Sequence, residues 1–224
     1  MMLKERIPET DHGIQGEFNV NMYDVMMRRM RDKGWITTPQ ILKAGITSGL
    51  ALEIGPGPGY LGLEWLKKTE GTRLKGLDIS PDMIKIAEKN AKEYGCEHRV
   101  EYVESDSKIM PFDDNTFDAV FTNGSLHEWA HPKDAFHEIY RVLKPSGKCC
   151  ITDLRRDMNP FIKWFIKSMT KPVVMVSGLI SSINAAYTRD EMYAILQDTP
   201  LRNAEVTQNL IGLCITGEKE ENTQ

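Results

Sequence analysis

Between residues 45 and 155, short apolar runs alternate with stretches whose apolar positions recur at helical spacing. Leu50–Ile54 is an apolar run that ends in glycines, so it reads as a buried strand entering a tight turn. Tyr60–Lys68 follows with Leu61, Trp65 and Leu66 on one helical side. The alternation continues with a strand over 73–78, a helix over 81–94, and strands over 100–104 and Phe117–Thr122. Pro81 sits just inside the helix start and Gly95 just past its end. A helix is expected over Pro132–Leu143, then a turn at Lys144-Pro-Ser-Gly147 and a strand over Lys148–Asp153. Upstream, residues 1–17 read as a loose arm. Asn19–Lys33 reads as a helix capped by Asn19 or Asn21 and stopped by Gly34, and Thr38–Ala44 as a short helix. Downstream, Thr188 and Glu191 form a capping box for a helix to Gln197. Ala204–Gln208 and Ile211–Thr216 are close enough to pair as a hairpin.

This order predicts an α/β fold, a doubly wound and mostly parallel sheet covered on both faces, with one antiparallel strand near an edge. The 224 residues suit one domain. It divides into an arm and cap helices (1–45), a core (46–154), a lid insert (155–187) and a C-terminal helix and hairpin (188–224). Net charge is −4 with no Lys/Arg block, which disfavours a nucleic-acid partner. Cys96, Cys149, Cys150 and Cys214 form no C-x-x-C pair and read as reduced residues of a cytoplasmic protein. The start of the sequence is polar, without a secretory signal. The apolar stretch Pro172–Ala186 is too short and too polar to be an integral membrane segment. Oligomeric state stays open.

The candidate chemistry begins at the first glycine turn. Strand, glycine turn and helix make the nucleotide-binding corner of a doubly wound sheet. Asp78, at the carboxyl end of the second strand, can accept both hydroxyls of a ribose. Gly57-Pro-Gly-Tyr-Leu-Gly62 fits the G-x-G-x-x-G pattern of dinucleotide sites, with an acid about 20 residues on. Pro56 and Pro58 argue against a pyrophosphate there, because proline lacks the N–H groups such a cradle needs. Glu53 places a carboxylate beside the loop, which repels phosphate and suits a cation. A ligand with a ribose, a positive charge and no phosphate fits better: S-adenosylmethionine.

Glu53-Ile-Gly-Pro-Gly-Pro-Gly59, Leu77-Asp-Ile-Ser80, Asn123-Gly-Ser-Leu-His-Glu-Trp129 and Arg141-Val-Leu-Lys-Pro-Ser-Gly147 together resemble the class I S-adenosylmethionine-dependent methyltransferases. The nearest branch acts on small molecules and includes the ubiquinone/menaquinone biosynthesis methyltransferases. The likeness covers about residues 45–155 and fades over the first 40 residues and over 155–186. It implies a Rossmann-like sheet of seven strands with the last inserted antiparallel. It also implies that Gly55, Gly57 and Gly59 admit the amino-acid part of the cofactor, and that Glu53 holds the loop or reaches the ammonium. Asp78 would take the ribose, Ile79 and Met83 would line the adenine, and Asp106 with Ser107 beside it would meet the adenine amino group. Asn123 would lie near the methionine moiety, and Tyr23 would close over the sulfonium. Plainer readings stand beside these. Asp78 would also serve as a helix cap, Asp106 as a loop carboxylate, and Met83 and Tyr23 as packing residues.

His127-Glu-Trp-Ala-His131 matches the zinc pattern H-E-x-x-H, but Pro132 pushes His131 out of helical geometry, so no metal site is expected. In the family reading this loop borders the methyl donor. His127 is then the first candidate to orient or deprotonate the acceptor, with Tyr23 second. The alternative for His127 is a hydrogen-bonded structural histidine. Phe161–Thr170 is amphipathic, with Lys163, Lys167 and Lys171 on one face, and reads as a lid or as an apolar wall for a lipophilic acceptor. The expected activity is methyl transfer from S-adenosylmethionine to a small-molecule acceptor, leaving S-adenosylhomocysteine. A non-catalytic cofactor-binding protein is the alternative, ahead of a nicotinamide oxidoreductase.

Overall fold

The computed structural model describes residues 5–9 and 13–221. Seven strands form one sheet: β1 (Leu50–Ile54), β2 (Arg73–Asp78), β3 (Val100–Glu104), β4 (Phe117–Asn123), β5 (Leu143–Leu154), β6 (Glu205–Gln208) and β7 (Gly212–Glu218). Their order is β3-β2-β1-β4-β5-β7-β6. All neighbours among β1 to β5 run parallel, and β7 runs antiparallel to both β5 and β6. The chain therefore reverses its direction of travel between β1 and β4, which is where such sheets hold ligands.

The helices are α1 (Glu17–Asp32), α2 (Thr38–Lys43), α3 (Tyr60–Lys68), α4 (Pro81–Glu93), α5 (Pro132–Val142), α6 (Pro160–Met169), α7 (Val176–Ala185) and α8 (Arg189–Gln197), with 3-10 turns at Leu126–Glu128 and Val173–Met175. Each face of the sheet has its own core. One buries Leu52, Val120 and Ile151 against Phe136 and Ile139 of α5 and Met192 and Leu196 of α8. The other buries Ala51, Phe121 and Cys150 against Trp65 and Leu66 of α3 and Ile41 of α2. Apolar residues on both faces of β1 and β4 explain why these strands read as continuous apolar runs.

The capping box forms as expected, with Thr188 accepting from the Glu191 N–H. Other expectations shift. Gly16, with φ 85° and no side-chain cap, starts α1, so Asn19 lies inside the first turn rather than capping it. β5 begins at Leu143 instead of Lys148. Its register against β4 jumps from Phe117↔Leu143 to Ala119↔Lys148, so the Lys144–Gly147 turn is a bulge inside the strand. The apolar stretch after Pro172 becomes a 3-10 turn and α7. The described part of the arm is docked: Ile7 N donates to Asn184 O (3.1 Å), Arg6 Nε to Ala185 O (2.6 Å) and Ser80 Oγ to Ile14 O (2.7 Å). Residues 1–4 and 10–12 of that arm lie outside the described residues. All four cysteines are free thiols. No helix among the described residues is long and apolar enough to cross a membrane.

Gly62 lets α3 press onto the sheet. A Cβ there would stand 2.2 Å from Glu53 Oε2 and 2.3 Å from Leu74 Cδ2. Alanine gains about 1 kcal/mol of helix propensity, but overpacking costs about 1–3 kcal/mol. Gly62→Ala should therefore lower the melting temperature; an unchanged or higher value contradicts this close packing.

Candidate active site

The carboxyl ends of β1 to β4 open onto one cleft that is partly open to solvent. Its floor is the glycine loop after β1. Gly55, Gly57 and Gly59 all have positive φ (61°, 52° and 85°). A Cβ on Gly55 would fall 2.1 Å from Ser125 Oγ, and one on Gly57 would meet the Tyr23 ring at 3.3 Å. The loop thus needs glycine both for its backbone and for the space above it.

Asp78 holds the loop to the next strand. Its Oδ2 accepts from Gly57 N (3.0 Å) and its Oδ1 from Ser80 N (2.9 Å). Ser80, not Asp78, caps α4, so the capping alternative for Asp78 falls away. An ionised carboxylate offers about four acceptor sites, so these bonds leave acceptor capacity for a ligand. Burial raises the Asp78 pKa against the pull of these backbone N–H groups.

The cleft gathers most of the expected residues: Tyr23, Gly55, Gly57, Asp78, Ile79, Met83, Asp106, Ser107 and Asn123 all line it. Asp106 is partly engaged, accepting from Lys108 N (2.9 Å), and Asn123 Oδ1 accepts from Thr152 Oγ (2.9 Å). Glu53, Gly59 and His127 do not line it. Gly59 starts α3 behind the loop, facing Ala87 and Tyr102. Glu53 points from β1 under α3, where burial and the Asp78 charge push its pKa up to about 8. It is thus largely protonated near neutrality and supplies little of the negative charge expected beside the loop.

His127 also differs from the expectation of a base facing the acceptor. Its backbone N–H donates to Asp153 Oδ2 (2.7 Å), its Nδ1 lies 2.9 Å from Asp153 Oδ1, and its Nε2 lies 3.5 Å from Glu9. Burial alone would lower its pKa, but the Asp153 and Glu9 carboxylates overcome this and push it up to about 10. A ring already protonated at neutral pH cannot accept a proton. Glu9, His127 and Glu128 bring their ligand atoms within 4.8 Å of one another.

The residue that sequence reasoning missed is Glu128. It lines the cleft beside Trp129, and burial together with Glu9, Asp153 and Asp78 raises its pKa to about 7, against the pull of His127. Its charge, with burial, also raises the Tyr23 phenol. The signal was its place just after β4, where such sheets put chemistry. Gly13 and Ile14 of the arm form another missed wall. No periodicity marks such a segment.

Residues 52–151 match the family described as a methyltransferase domain. The ubiquinone/menaquinone biosynthesis C-methyltransferase UbiE of Cereibacter sphaeroides is 27% identical over 129 residues, 58% of this chain and 52% of that protein. The chain thus spans about half the length of these curated relatives. The 2-phytyl-1,4-naphtoquinone methyltransferase of Nostoc punctiforme is 30% identical over 141 residues, 61% of each chain. The solved structure of a candidate S-adenosyl-L-methionine-dependent methyltransferase from Methanococcus maripaludis superposes with a TM-score of 0.74 at 24% identity, over 93% of this chain and 97% of that one. It shares the fold.

The His127 pair gives a signed pH dependence. The ring's pKa is about 10 when folded against 6.5 for the free side chain. Its stabilisation is therefore complete below pH 6.5 and lost as pH rises through about 10. The gap in melting temperature between the wild type and His127→Gln should be largest near pH 6 and shrink by pH 10. A gap that is constant across this range contradicts the charged pair.

Proposed function

We propose, from the match of residues 52–151 to the methyltransferase domain family, that the protein is a class I S-adenosylmethionine-dependent methyltransferase that transfers a methyl group from S-adenosylmethionine to a small acceptor. The observation that carries this reading is the glycine loop, without a Cβ at Gly55, Gly57 and Gly59, interrupted by Pro56 and Pro58 and held to Asp78 beside the cleft. It suits a ribose and a cation rather than a pyrophosphate.

The residues fit the cofactor at each end. Asp78 would accept the ribose hydroxyls, Ile79 and Met83 would flank the adenine, and Asp106 and Ser107 would meet its amino group. Gly55 and Gly57 would admit the amino-acid portion, with Asn123 and Tyr23 towards the sulfur. Bound S-adenosylmethionine supplies a methyl group on a positive sulfur that is already a strong electrophile. The protein's own share is to align the acceptor with that methyl and to exclude water. Asp78 and Glu128 favour the positive charge, and Tyr23 adds its ring face. Gly13, Ile14 and Tyr23 cover the cleft from the arm and α1.

Where the acceptor must lose a proton, Glu128 takes the part first given to His127. Its pKa of about 7 leaves roughly half of it as a base at neutrality. His127 and Asp153 then act on Glu128 by position, fixing the turn that carries it. A quinone-type carbon acceptor, the class named by the curated relatives, is the first to try.

Calorimetry should show binding of S-adenosylmethionine and S-adenosylhomocysteine and none of NADH; NADH binding alone overturns the reading. Loss of two charge-assisted hydrogen bonds at about 1.5 kcal/mol each predicts that Asp78→Ala weakens cofactor binding roughly a hundredfold. Unchanged affinity would remove Asp78 from the site. For a protonated acceptor, kcat/KM should rise with pH through about 7 in the wild type, and Glu128→Gln should lose that limb while still binding cofactor. Tight cofactor binding with no turnover across acceptor classes would favour a non-catalytic binding protein.

A further inference from the structure

The insert between β5 and α8 carries a surface that the cleft does not use. Helix α6 buries none of its residues. Phe161, Trp164 and Phe165 are 65%, 62% and 48% exposed, and Met169, Val173 and Val174 continue the apolar surface towards the next turn. The Phe161 and Trp164 rings lie 5.7 Å apart, so they present one aromatic patch. None of these residues lines the cleft.

The charge pattern says what such a patch would meet. The chain has 32 acidic residues among 224, yet 158–189 contains no Asp or Glu. The same segment holds Lys163, Lys167, Lys171 and Arg189. Lys163 Nζ donates to Arg156 O, and Lys167 and Lys171 are exposed beside the aromatic face. A locally basic, acid-free, aromatic helix on a chain of net charge −4 suits an anionic lipid surface, where apolar burial and attraction to headgroups add. A second copy of the chain fits less well, because it would set like-charged lysines against each other across a two-fold contact.

The patch also sits where docking would matter. Helix α7 packs on the 3-10 turn that carries Glu128, and Val173–Met175 packs on α1, which carries Tyr23. The insert therefore bridges both walls of the cleft. We propose that α6 and the Pro172–Val174 turn dock the protein onto anionic membrane surfaces through Phe161, Trp164, Phe165 and the flanking Lys167 and Lys171. Docking brings to the lipid the insert that packs on both walls of the cleft. The docking itself does not depend on which acceptor is methylated, or on whether any is.

Flotation of the full chain with vesicles tests this. With phosphatidylcholine vesicles containing about a third phosphatidylglycerol at low salt, the protein should float; with pure phosphatidylcholine, or at high salt, binding should fall at least tenfold. Trp164→Ser/Phe165→Ser should reduce partitioning about tenfold or more. Lys167→Gln/Lys171→Gln should cost roughly five-fold per charge near the surface. Both variants should keep wild-type melting temperature and S-adenosylhomocysteine affinity, since neither pair touches the cleft. Failure to float on anionic vesicles, or flotation untouched by the aromatic substitutions, overturns the proposal. So does a dimer, seen by light scattering, that dissociates on those substitutions while anionic vesicles bind nothing.

Discussion

The buried contact between His127 and Asp153 is the joint on which the site depends. Asp153 stands at the end of β5 and His127 in the turn after β4, so the pair fixes that turn to the sheet from inside. From the same histidine the joint reaches outward. Arg6 donates to the His127 carbonyl (2.9 Å), and its guanidinium stacks 4.1 Å over the Tyr187 ring. Glu9 approaches Nε2. Two buried opposite charges are costly to place and costlier to separate, because removing one leaves the other unpaired. That asymmetry makes the pair a strong determinant of one geometry for the arm, the turn and the start of the insert.

A second constraint is electrostatic. The cleft collects carboxylates, Asp78, Asp106 and Glu128, where the strands end. Burial raises Asp78 and Glu128 above the usual range, and at Glu128 the Glu9, Asp153 and Asp78 charges add to it. A cation entering the cleft relieves that cost, and a phosphate would add to it. Lys108, paired with Asp106 at 3.2 Å, neutralises only one edge of the ring. Glu53 shows how finely burial sorts such groups. It sits one strand away from Asp78, yet a place under α3 rather than in the cleft leaves it mostly neutral.

The sheet, its helices and the floor of the site were legible in the sequence because their signals are local. Glycines with positive φ, proline at a helix start, the Thr188–Glu191 box and apolar runs each act over a few residues. Asp78 and Asn123 could be placed at the cleft from sequence because a parallel sheet sends every strand end to one edge. His127, which reads as a base or as a hydrogen-bonded structural histidine, could not be decided locally for the complementary reason. Its residue type and its place in the loop favoured a base, but whether it holds a proton is set by Asp153, 26 residues on, and by Glu9 from the arm. The described part of the arm was misread as loose because its order comes from partners such as Asn184 and Ser80, far along the chain.

The sequence by itself therefore determined the α/β architecture, the strand that leads into the glycine loop and the acid beside it. Hydrophobic period, turn chemistry and proline's missing N–H act within a few residues, so they can be read without coordinates. Only the tertiary structure decided which carboxylate faces the cleft, which histidine is locked as a cation, and that α6 leaves its aromatic side uncovered. Burial and charge pairing depend on distances through space between residues remote in the chain, and no local pattern encodes those distances.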